Sequence, residues 1–388
     1  MEPSFAYSIP YVLFALTLGV LALSWHFGDE RAKKWSIGIS FALFMVFIGL
    51  RGLIMSDWQF YYYFFNDHCT WDEIIHKGGA ENFEKISTIF GLYNLFFKSI
   101  FDNWYFFTFC HLGIELALLY RFYTHNRIFN IPLALMIFYC LEGNVILCNL
   151  LRNGLGLMLC LNALEYIEKR DFGKYLLWVI AGTCFHYTLV LFVPLYFVLN
   201  CRLNKYWFAG LIIVANVIYL LRIPIVMGTL GLIFRGNSIF TLMFEEYTEV
   251  FDTQASGITF GYIEKLITSV LVFLYYDDLQ ERRDDARVYL NAIMLYLFLF
   301  LSLSEFAELA KRISMLLFFG YWVIWYDLIK CFAYANNRRL FCFFVGIFCL
   351  FRLANGCKFA DYQYDNALFG PKSDVERVAV SEMVHAND

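Results

Sequence analysis

The sequence predicts an all-α polytopic integral membrane protein with about 11–12 membrane helices, and three observations lead to this fold class. Hydrophobic residues make up 60% of the 388 residues, and charged residues make up only 16%. Soluble domains carry about one quarter charged residues, so most of this surface is not built for water. The third observation is a series of apolar runs long enough to cross a hydrocarbon core of about 30 Å.

These apolar runs extend through the whole chain. Because lipid offers no hydrogen-bond partners to the backbone, each run is expected to be helical. The first run has no basic segment before it and no small-residue cleavage site after it, which predicts a retained span. The runs cover residues 8–26, 37–54, 104–123, 131–150, 153–168, 206–223, 258–276, 288–304, 313–329 and 341–353, with a shorter pair at 175–200.

The positions of Lys and Arg predict the orientation of these helices. Six basic clusters lie in short connections and are expected to face the cytoplasm. Residues 1–370 then form a single helical domain with external loops at 55–103 and 224–257, followed by a flexible polar tail at 371–388. The clusters are Arg31/Lys33/Lys34, Arg121/Arg127, Lys169/Arg170/Lys174, Arg202/Lys205, Arg282/Arg283/Arg287 and Lys330/Arg338/Arg339.

The segment 175–200 is too short for two ordinary crossings. It lies between two cytoplasmic clusters, and the 27 residues between Lys174 and Arg202 allow roughly 20 Å for each of two legs. We therefore predict a short helical hairpin that turns inside the membrane near His186. A single tilted span is the alternative, and it would move the Arg282/Arg283/Arg287 cluster to the outside.

The segment near 84–101 mixes charged and apolar residues. Charges at each end surround the apolar stretch ISTIFGLYNLFF. This pattern is typical of an amphipathic helix that lies in the membrane interface, so we expect an interfacial helix here.

Several ionisable side chains lie at the external ends of apolar runs, where each needs a partner, a cavity or a function. The predicted topology brings Arg51, Asp57, Arg152, His186 and Arg312 to one leaflet. Arginine offers planar paired donors to phosphate oxygens and stays charged at physiological pH. A group of guanidinium side chains with an imidazole therefore suits a phosphate or pyrophosphate.

Structural roles for these residues remain open. Each Arg could extend to lipid headgroups or pair with a carboxylate such as Glu84, and His186 could be a hydrogen-bonded core residue. Among the external carboxylates Asp57 is favoured as a general base, because it lies within two helical turns of Arg51 and would stay ionised there.

The absent motifs narrow the function classes. The sequence contains no P-loop, no GxSxG, no HExxH and no His/Cys spacing typical of a metal site. It also has no basic patch suited to nucleic acid. We therefore expect no metal, no other cofactor and no nucleic-acid partner.

The chain resembles the EpsG family of Wzy-like polysaccharide polymerases over most of residues 37–365. The order and spacing of several segments carry the resemblance. They are GLRGLIMSDWQFYYYF, FEKISTIFGLYNLFF, LRNGLGLMLCLNALEYIEKRDF, FHYTLVLFVPLYF, AKRISMLLFFGYW and DYQYDNALFG. Asn153 replaces the Gln that is usual in the family, and Tyr187 and Thr188 replace a small or Ser pair.

The resemblance implies a glycosyltransferase that joins oligosaccharide repeat units carried on undecaprenyl pyrophosphate, in capsule, exopolysaccharide or O-antigen assembly. It implies a multi-pass protein of the bacterial cytoplasmic membrane with its active site facing the periplasm or exterior. The donor and the acceptor are both lipid-linked glycans, and undecaprenyl pyrophosphate is released. A chain-length regulator and a flippase of the same pathway are the implied protein partners.

Residue roles follow for this chemistry. Arg51, Arg152 and Arg312 are expected to bind the pyrophosphate, with Arg152 stabilising the charge that develops there. Either Asp57 or His186 would accept the proton of the acceptor hydroxyl. The expected glycan contacts are Trp58, Tyr62 and Glu84.

Two other classes remain open. A membrane-bound O-acyltransferase would also use a membrane-embedded His, although the predicted cytoplasmic loops are short for its second catalytic region. A flippase or polysaccharide transporter would need a cationic path reachable from both faces, whereas the charges here favour one face.

Overall fold

The computed structural model describes residues 2–76, 86–226, 229 and 258–385. These residues form helices and connections, with no β-strand among them, which confirms the all-α class. The described helices fall into two compact units, and the single domain predicted from the sequence stays a prediction. The first unit comprises Met1–Tyr166, Phe172–Val193 and Arg339–Asp388, and the second comprises Ile167–Asp171 and Pro194–Arg338.

The first unit contains the helices of the N-terminal half and the C-terminal helices. The π-helical segment Met45–Gly49 continues α2. The helices are α1 (Ile9–Phe27), α2 (Glu30–Phe44), α3 (Trp58–Tyr63), α4 (Thr88–Ile100), α5 (Trp104–His125), α6 (Ile131–Phe138), α7 (Asn144–Cys148), α8 (Leu151–Leu161), α9 (Glu165–Glu168) and α10 (Phe172–Phe185).

The remaining helices follow in chain order. The chain passes between the two units four times, within α9, between α9 and α10, within α11 and within α18. They are α11 (Phe192–Val198), α12 (Lys205–Leu220), α13 (Phe260–Leu274), α14 (Tyr276–Glu281), α15 (Ala286–Ser302), α16 (Ala307–Met315), α17 (Phe319–Cys331), α18 (Ala335–Gly356) and α19 (Asp374–His385).

Four helical stretches of the described chain are long and apolar enough to cross a bilayer, and a bent pair, Leu309–Met315 with Phe319–Cys331, makes up to five. Several other predicted crossings are shorter apolar helices, because breaks interrupt the apolar runs. One such break is at His186, between the shorter apolar helices Phe172–Phe185 and Tyr187–Val198. The four stretches are Phe5–Phe27, Glu30–Gly49, Ile131–Cys148 and Ala335–Gly356.

The predicted turn at His186 is present. His186 has an extended backbone between α10 and a 3-10 helix, Tyr187–Leu191, which leads into α11. The Tyr175 hydroxyl, near the start of α10, donates to the Phe192 carbonyl, so the chain folds back beside α10. These contacts favour the short hairpin over a single tilted span.

The expected interfacial helix is α4. It begins after Ser87, whose hydroxyl accepts a hydrogen bond from the Phe90 N–H and therefore caps the helix. Its exposed side includes Phe96 and Ile100, while Phe90 is buried. The predicted external loop 55–103 thus contains α3 and α4, whereas residues 230–257 of the other predicted loop lie outside the described residues.

The C-terminal segment differs from the flexible polar tail that we predicted. Residues 374–385 form α19, and Arg377 on this helix is 3% exposed. Arg377 contacts the Asp365 carboxylate at 3.1 Å, and the Asp365 carbonyl accepts a hydrogen bond from the Gly52 N–H. A side chain at position 52 would collide with Asp365. The segment is therefore docked, because a buried ion pair and backbone hydrogen bonds hold it.

Candidate active site

The turn between α7 and α8 organises the candidate site. The Asn149 side-chain oxygen accepts hydrogen bonds from the backbone N–H groups of Ser56 and Asp57, at 3.1 and 2.9 Å. The Asn149 amide nitrogen donates to the Ser56 hydroxyl at 3.2 Å. One amide therefore fixes the loop that carries Asp57 beside the helix that carries Arg152.

Asp57 immediately precedes α3 and caps none of its N–H groups through the side chain. Its carboxylate accepts a hydrogen bond from the Ser56 hydroxyl at 3.0 Å. This bond orients the carboxylate. The geometry is suitable for a general base whose position is set by Ser56 and Asn149.

Arg152 lies in the first turn of α8 and is half-buried. Its Nε–H donates to the Tyr61 hydroxyl at 3.5 Å. Its guanidinium also lies over the rings of Phe60 and Tyr61, with distances of 5.4 and 5.8 Å to the centroids. Aromatic faces from α3 thus hold the guanidinium at the start of α8.

The Tyr61 phenol contacts Arg152 and lies within the electrostatic range of Asp57. Burial raises the pKa of the Tyr61 phenol; Arg152 lowers this pKa and Asp57 raises it. The net direction is upward, so the phenol stays protonated at physiological pH. A neutral hydroxyl in this position accepts from Arg152 and keeps its own proton as a donor.

Arg51 has structural contacts at the same place. Its two Nη groups donate to the carbonyls of Ile48 and Cys148, both at 3.0 Å, and the residue is 4% exposed. These carbonyls belong to the C-terminal ends of two helical segments, where a cation is favourable. Arg51 therefore joins the end of Met45–Gly49 to the end of α7 and leaves a buried positive charge beneath Arg152's helix.

His186 lies at the break of the hairpin. Its Nδ1 is 2.7 Å from the Thr188 hydroxyl, and its ring stacks on Tyr187 with the centroids 5.1 Å apart. The adjacent Phe185 packs against the aromatic cluster that also contains Tyr61 and Leu151. Thr188, which differs from the usual family residue, is thus the residue that orients the imidazole.

The antiparallel packing of α8 and α10 brings Arg152 and His186 to the same helix ends. A Cβ added at Gly156 would be 2.8 Å from the Gly182 carbonyl oxygen, so the two backbones nearly touch. Arg152 lies one turn before Gly156 on α8, and His186 lies one turn after Gly182 at the end of α10. Because the helices are antiparallel, both residues lie on the same side of this contact. Small residues at such crossings are typical of membrane helices.

The opposite ends of these helices carry basic clusters. Arg121, at the end of α5, donates to Glu165 at 2.6 Å and to the Asn162 oxygen at 2.7 Å, and it lies over the Trp178 ring. Lys174 lies over the Tyr166 ring. Arg121 and Lys174, from two of the predicted cytoplasmic clusters, therefore lie at one end of these helices, and Arg152 lies at the other.

The three expected glycan contacts have different surroundings. Trp58 is 6% exposed and packs edge-on against Tyr62, at 6.0 Å between centroids. Tyr62 is half-buried and also packs against Trp104. The burial of Trp58 makes Tyr62 the better candidate for stacking on a sugar. Glu84 lies outside the described residues.

Arg312 belongs to the second unit, in the last turn of α16, and its side chain is exposed. Its association with Arg51 and Arg152 remains a prediction. Within the described ranges, no group of three His, Cys, Asp or Glu side chains could hold a metal ion.

Sequence reasoning missed Asn149 and the bridging position of Tyr61. Asn149 lies in an apolar run, and its importance depends on a loop 92 residues earlier in the chain. The available signal was local: an amide at a helix break, three residues before an arginine that opens the next helix.

Comparison with known proteins finds a family whose model covers the segments that form this site. The chain matches the family model of the EpsG family over residues 34–367. No curated protein and no solved structure matches it. The matched region contains Arg51, Asp57, Arg152, His186 and Arg312. Because the match covers most of the chain, this protein belongs to the EpsG family, the family of Wzy-like polysaccharide polymerases.

Proposed function

We propose that this protein polymerises oligosaccharide repeat units carried on undecaprenyl pyrophosphate, at the outer face of the bacterial cytoplasmic membrane. The family supports a polysaccharide polymerase in general. The observation that carries the finer proposal is the Arg152 guanidinium, held by aromatic rings at the start of α8 next to the Asp57 loop.

An anion is the ligand that suits this end of α8. The helix has 11 residues and no side-chain cap at its N-terminus, so its first N–H groups add positive potential to that of Arg152. The buried Arg51 charge adds to the same potential from below. Arg312, which the sequence predicted to be a phosphate contact, remains a proposal.

In the proposed transfer, the bond between the donor's anomeric carbon and the pyrophosphate oxygen breaks, and the electron pair leaves with undecaprenyl pyrophosphate. The acceptor hydroxyl oxygen forms the new glycosidic bond to that carbon and loses its proton. Guanidinium groups fixed near the leaving oxygen stabilise the charge that develops there, and such stabilisation favours the transition state over the ground state.

Two groups are candidates for the proton acceptor. Asp57 is oriented by Ser56 on a loop fixed by Asn149. His186 would accept at Nε2 when its Nδ1–H donates to Thr188. We favour Asp57, because its loop and Arg152 share the Asn149 turn, and we assign His186 to the phosphates or to the acceptor.

Tyr62 and Tyr63 are proposed to stack on sugar rings, since both are half-buried beside the site. The outward orientation is supported by the basic residues at the opposite helix ends. A chain-length regulator and a flippase of the same pathway are the proposed protein partners.

The test is synthesis by the purified protein in lipid nanodiscs. Wild-type protein supplied only with lipid-linked repeat units should yield a ladder of longer glycans, without nucleotide sugar, ATP or metal. Arg152→Ala should lower the rate by about 10²–10³-fold, the usual effect of removing one charge-stabilising donor. Arg152→Lys should recover little, because an ammonium lacks the planar paired donors.

Arg31→Ala is the matched control, because Arg31 is an exposed arginine of the same unit in a predicted cytoplasmic cluster. It should leave the ladder unchanged. A normal ladder from Arg152→Ala at matched expression would remove Arg152 from the mechanism. Transport of the intact lipid-linked glycan without product would support the transporter class, and acyl transfer without a ladder would support the acyltransferase class.

A further inference from the structure

A buried chain of three polar side chains lies inside the first unit. The Tyr93 hydroxyl of α4 is 3.1 Å from His111 Nδ1, and His111 Nε2 is 3.5 Å from Glu115 Oε1, one turn later on α5. His111 is 1% exposed and Glu115 is 0% exposed. Among the residues that the structure describes, neither carboxylate oxygen of Glu115 has a hydrogen-bond partner, and neither does His111 Nε2.

Glu115 lies directly against the helix that carries Arg152. A Cβ added at Gly154, two residues after Arg152, would be 2.7 Å from Glu115 Oε1. The carboxylate therefore contacts the first turn of α8 from the side opposite the solvent. Any change in its charge acts on the turn that presents Arg152.

The charged and titratable groups around Glu115 come from each element packed against α5. His111 is on its own helix, and the Arg51 guanidinium acts on Glu115 electrostatically from the end of Met45–Gly49. Tyr93 of α4 and the Cys148 thiol of α7 also interact electrostatically with Glu115. Thr108 of α5 donates to the Gly49 carbonyl and keeps this end of the helix in place.

Burial and charge together define what this pair can do. A fully buried carboxylate without hydrogen bonds is strongly disfavoured as an anion unless cations lie close to it. The Arg51 guanidinium is such a cation, and His111 Nε2 lies 3.5 Å from the carboxylate, so the ionised state of Glu115 depends on the positive charge around it. The His111–Glu115 pair thus takes up or releases a proton when that charge changes.

We infer that Glu115 and His111 form a buried proton-holding pair that is coupled to the occupancy of the neighbouring arginine site by an anionic group. The inference rests on the proposed function for the identity of that anion, a pyrophosphate. A bound polyanion offsets the positive charge that favours the Glu115 carboxylate. Glu115 then gains a proton from water, and this proton is released when the anion leaves.

Glu115 is a positioning residue in this scheme, because it contacts α8 and not the substrate. A neutral Glu115 no longer attracts Arg51 and the first turn of α8 as an anion does. The positive groups then bind the pyrophosphate more strongly. After the product leaves, Glu115 returns to the anion, and the empty site binds polyanions less strongly.

The test is an infrared titration of the purified full-length protein in nanodiscs. Wild-type protein should show a carbonyl band of a protonated carboxyl group that Glu115→Gln removes and Glu168→Gln retains, because Glu168 is exposed. Saturating inorganic pyrophosphate should raise the midpoint of this band by about one pH unit, the size expected for a unit charge about 10 Å away at an effective dielectric constant of about 20.

Tyr93→Phe provides a second variant that keeps the carboxyl group. It removes the hydrogen bond at His111 Nδ1, so the band should remain and its midpoint should move. An unchanged band in Glu115→Gln would overturn the inference.

Calorimetry with inorganic pyrophosphate separates the two proposals. Binding without a shift in the midpoint would overturn the coupling and leave the anion site standing. Absence of binding would overturn both the coupling and the anion site, and the ladder assay then decides on polymerisation by itself. Binding with the shift in wild-type protein, and without it in Glu115→Gln, supports the coupling.

Discussion

Asp365→Asn should release the C-terminal helix. Arg377 is 3% exposed, and its Nη2 lies 3.1 Å from Asp365 Oδ2. Its Nε and Nη1 have no hydrogen-bond partner within the described part of the chain. The substitution preserves the size of the side chain but removes the negative charge. Arg377 would then remain a buried cation that keeps its hydrogen bond to the Gln363 carbonyl and loses its carboxylate.

The free energy by which Asp365→Asn destabilises the docked segment follows from these contacts. Leaving one member of a buried ion pair uncompensated destabilises by about 3–5 kcal/mol. The bond from Arg377 Nη2 to the Gln363 carbonyl, at 2.8 Å, survives the substitution. An Asn at position 365 also keeps an oxygen for the Lys372 N–H. We therefore expect about 2 kcal/mol, which makes opening of the segment about 30-fold more frequent.

Limited trypsin digestion in nanodiscs measures this opening. Cleavage after Lys372 or Arg377 requires the segment to leave its docked position, and its rate follows the open population when opening is fast relative to cleavage. Asp365→Asn should be cleaved there about 30-fold faster than wild-type protein. Asp284→Asn, at an exposed Asp, is the control and should not change this rate. Equal rates for Asp365→Asn and wild type would refute the role of the ion pair.

Three further substitutions test the site. Gly156→Leu should abolish polymer and lower thermal stability in detergent, because its side chain would collide with the α10 backbone, whereas Gly210→Leu, with open space around it, should do neither. Tyr61→Phe should lower the polymerisation rate a few-fold equally at pH 6 and pH 9, because burial raises the pKa of the phenol and keeps it protonated over that range; a pH-dependent loss would contradict this. Asn149→Ala frees the loop of Asp57 and should reduce the catalytic rate more than it raises KM, as steady-state kinetics with lipid-linked acceptor can show.

The sequence alone predicted the all-α membrane class, the positions of most helices and the break at His186. It also identified Arg152 and Asp57 as residues whose position needs an explanation. These features can be predicted because the length of an apolar run determines whether it can span the bilayer, and the basic residues in the loops determine its orientation. Both are local properties of the chain. The interfacial character of α4 follows in the same way from its charged ends.

Only the tertiary structure decided which polar groups meet. It joined Asn149 to the Asp57 loop, directed the Arg51 donors to two helix-end carbonyls, and docked the C-terminal segment through Arg377. It also placed Glu115 beside the first turn of α8. The physical reason is that buried donors and acceptors form hydrogen bonds with groups on other packed helices. Which groups pair depends on the distances between segments in the folded protein, and no local sequence pattern contains these distances.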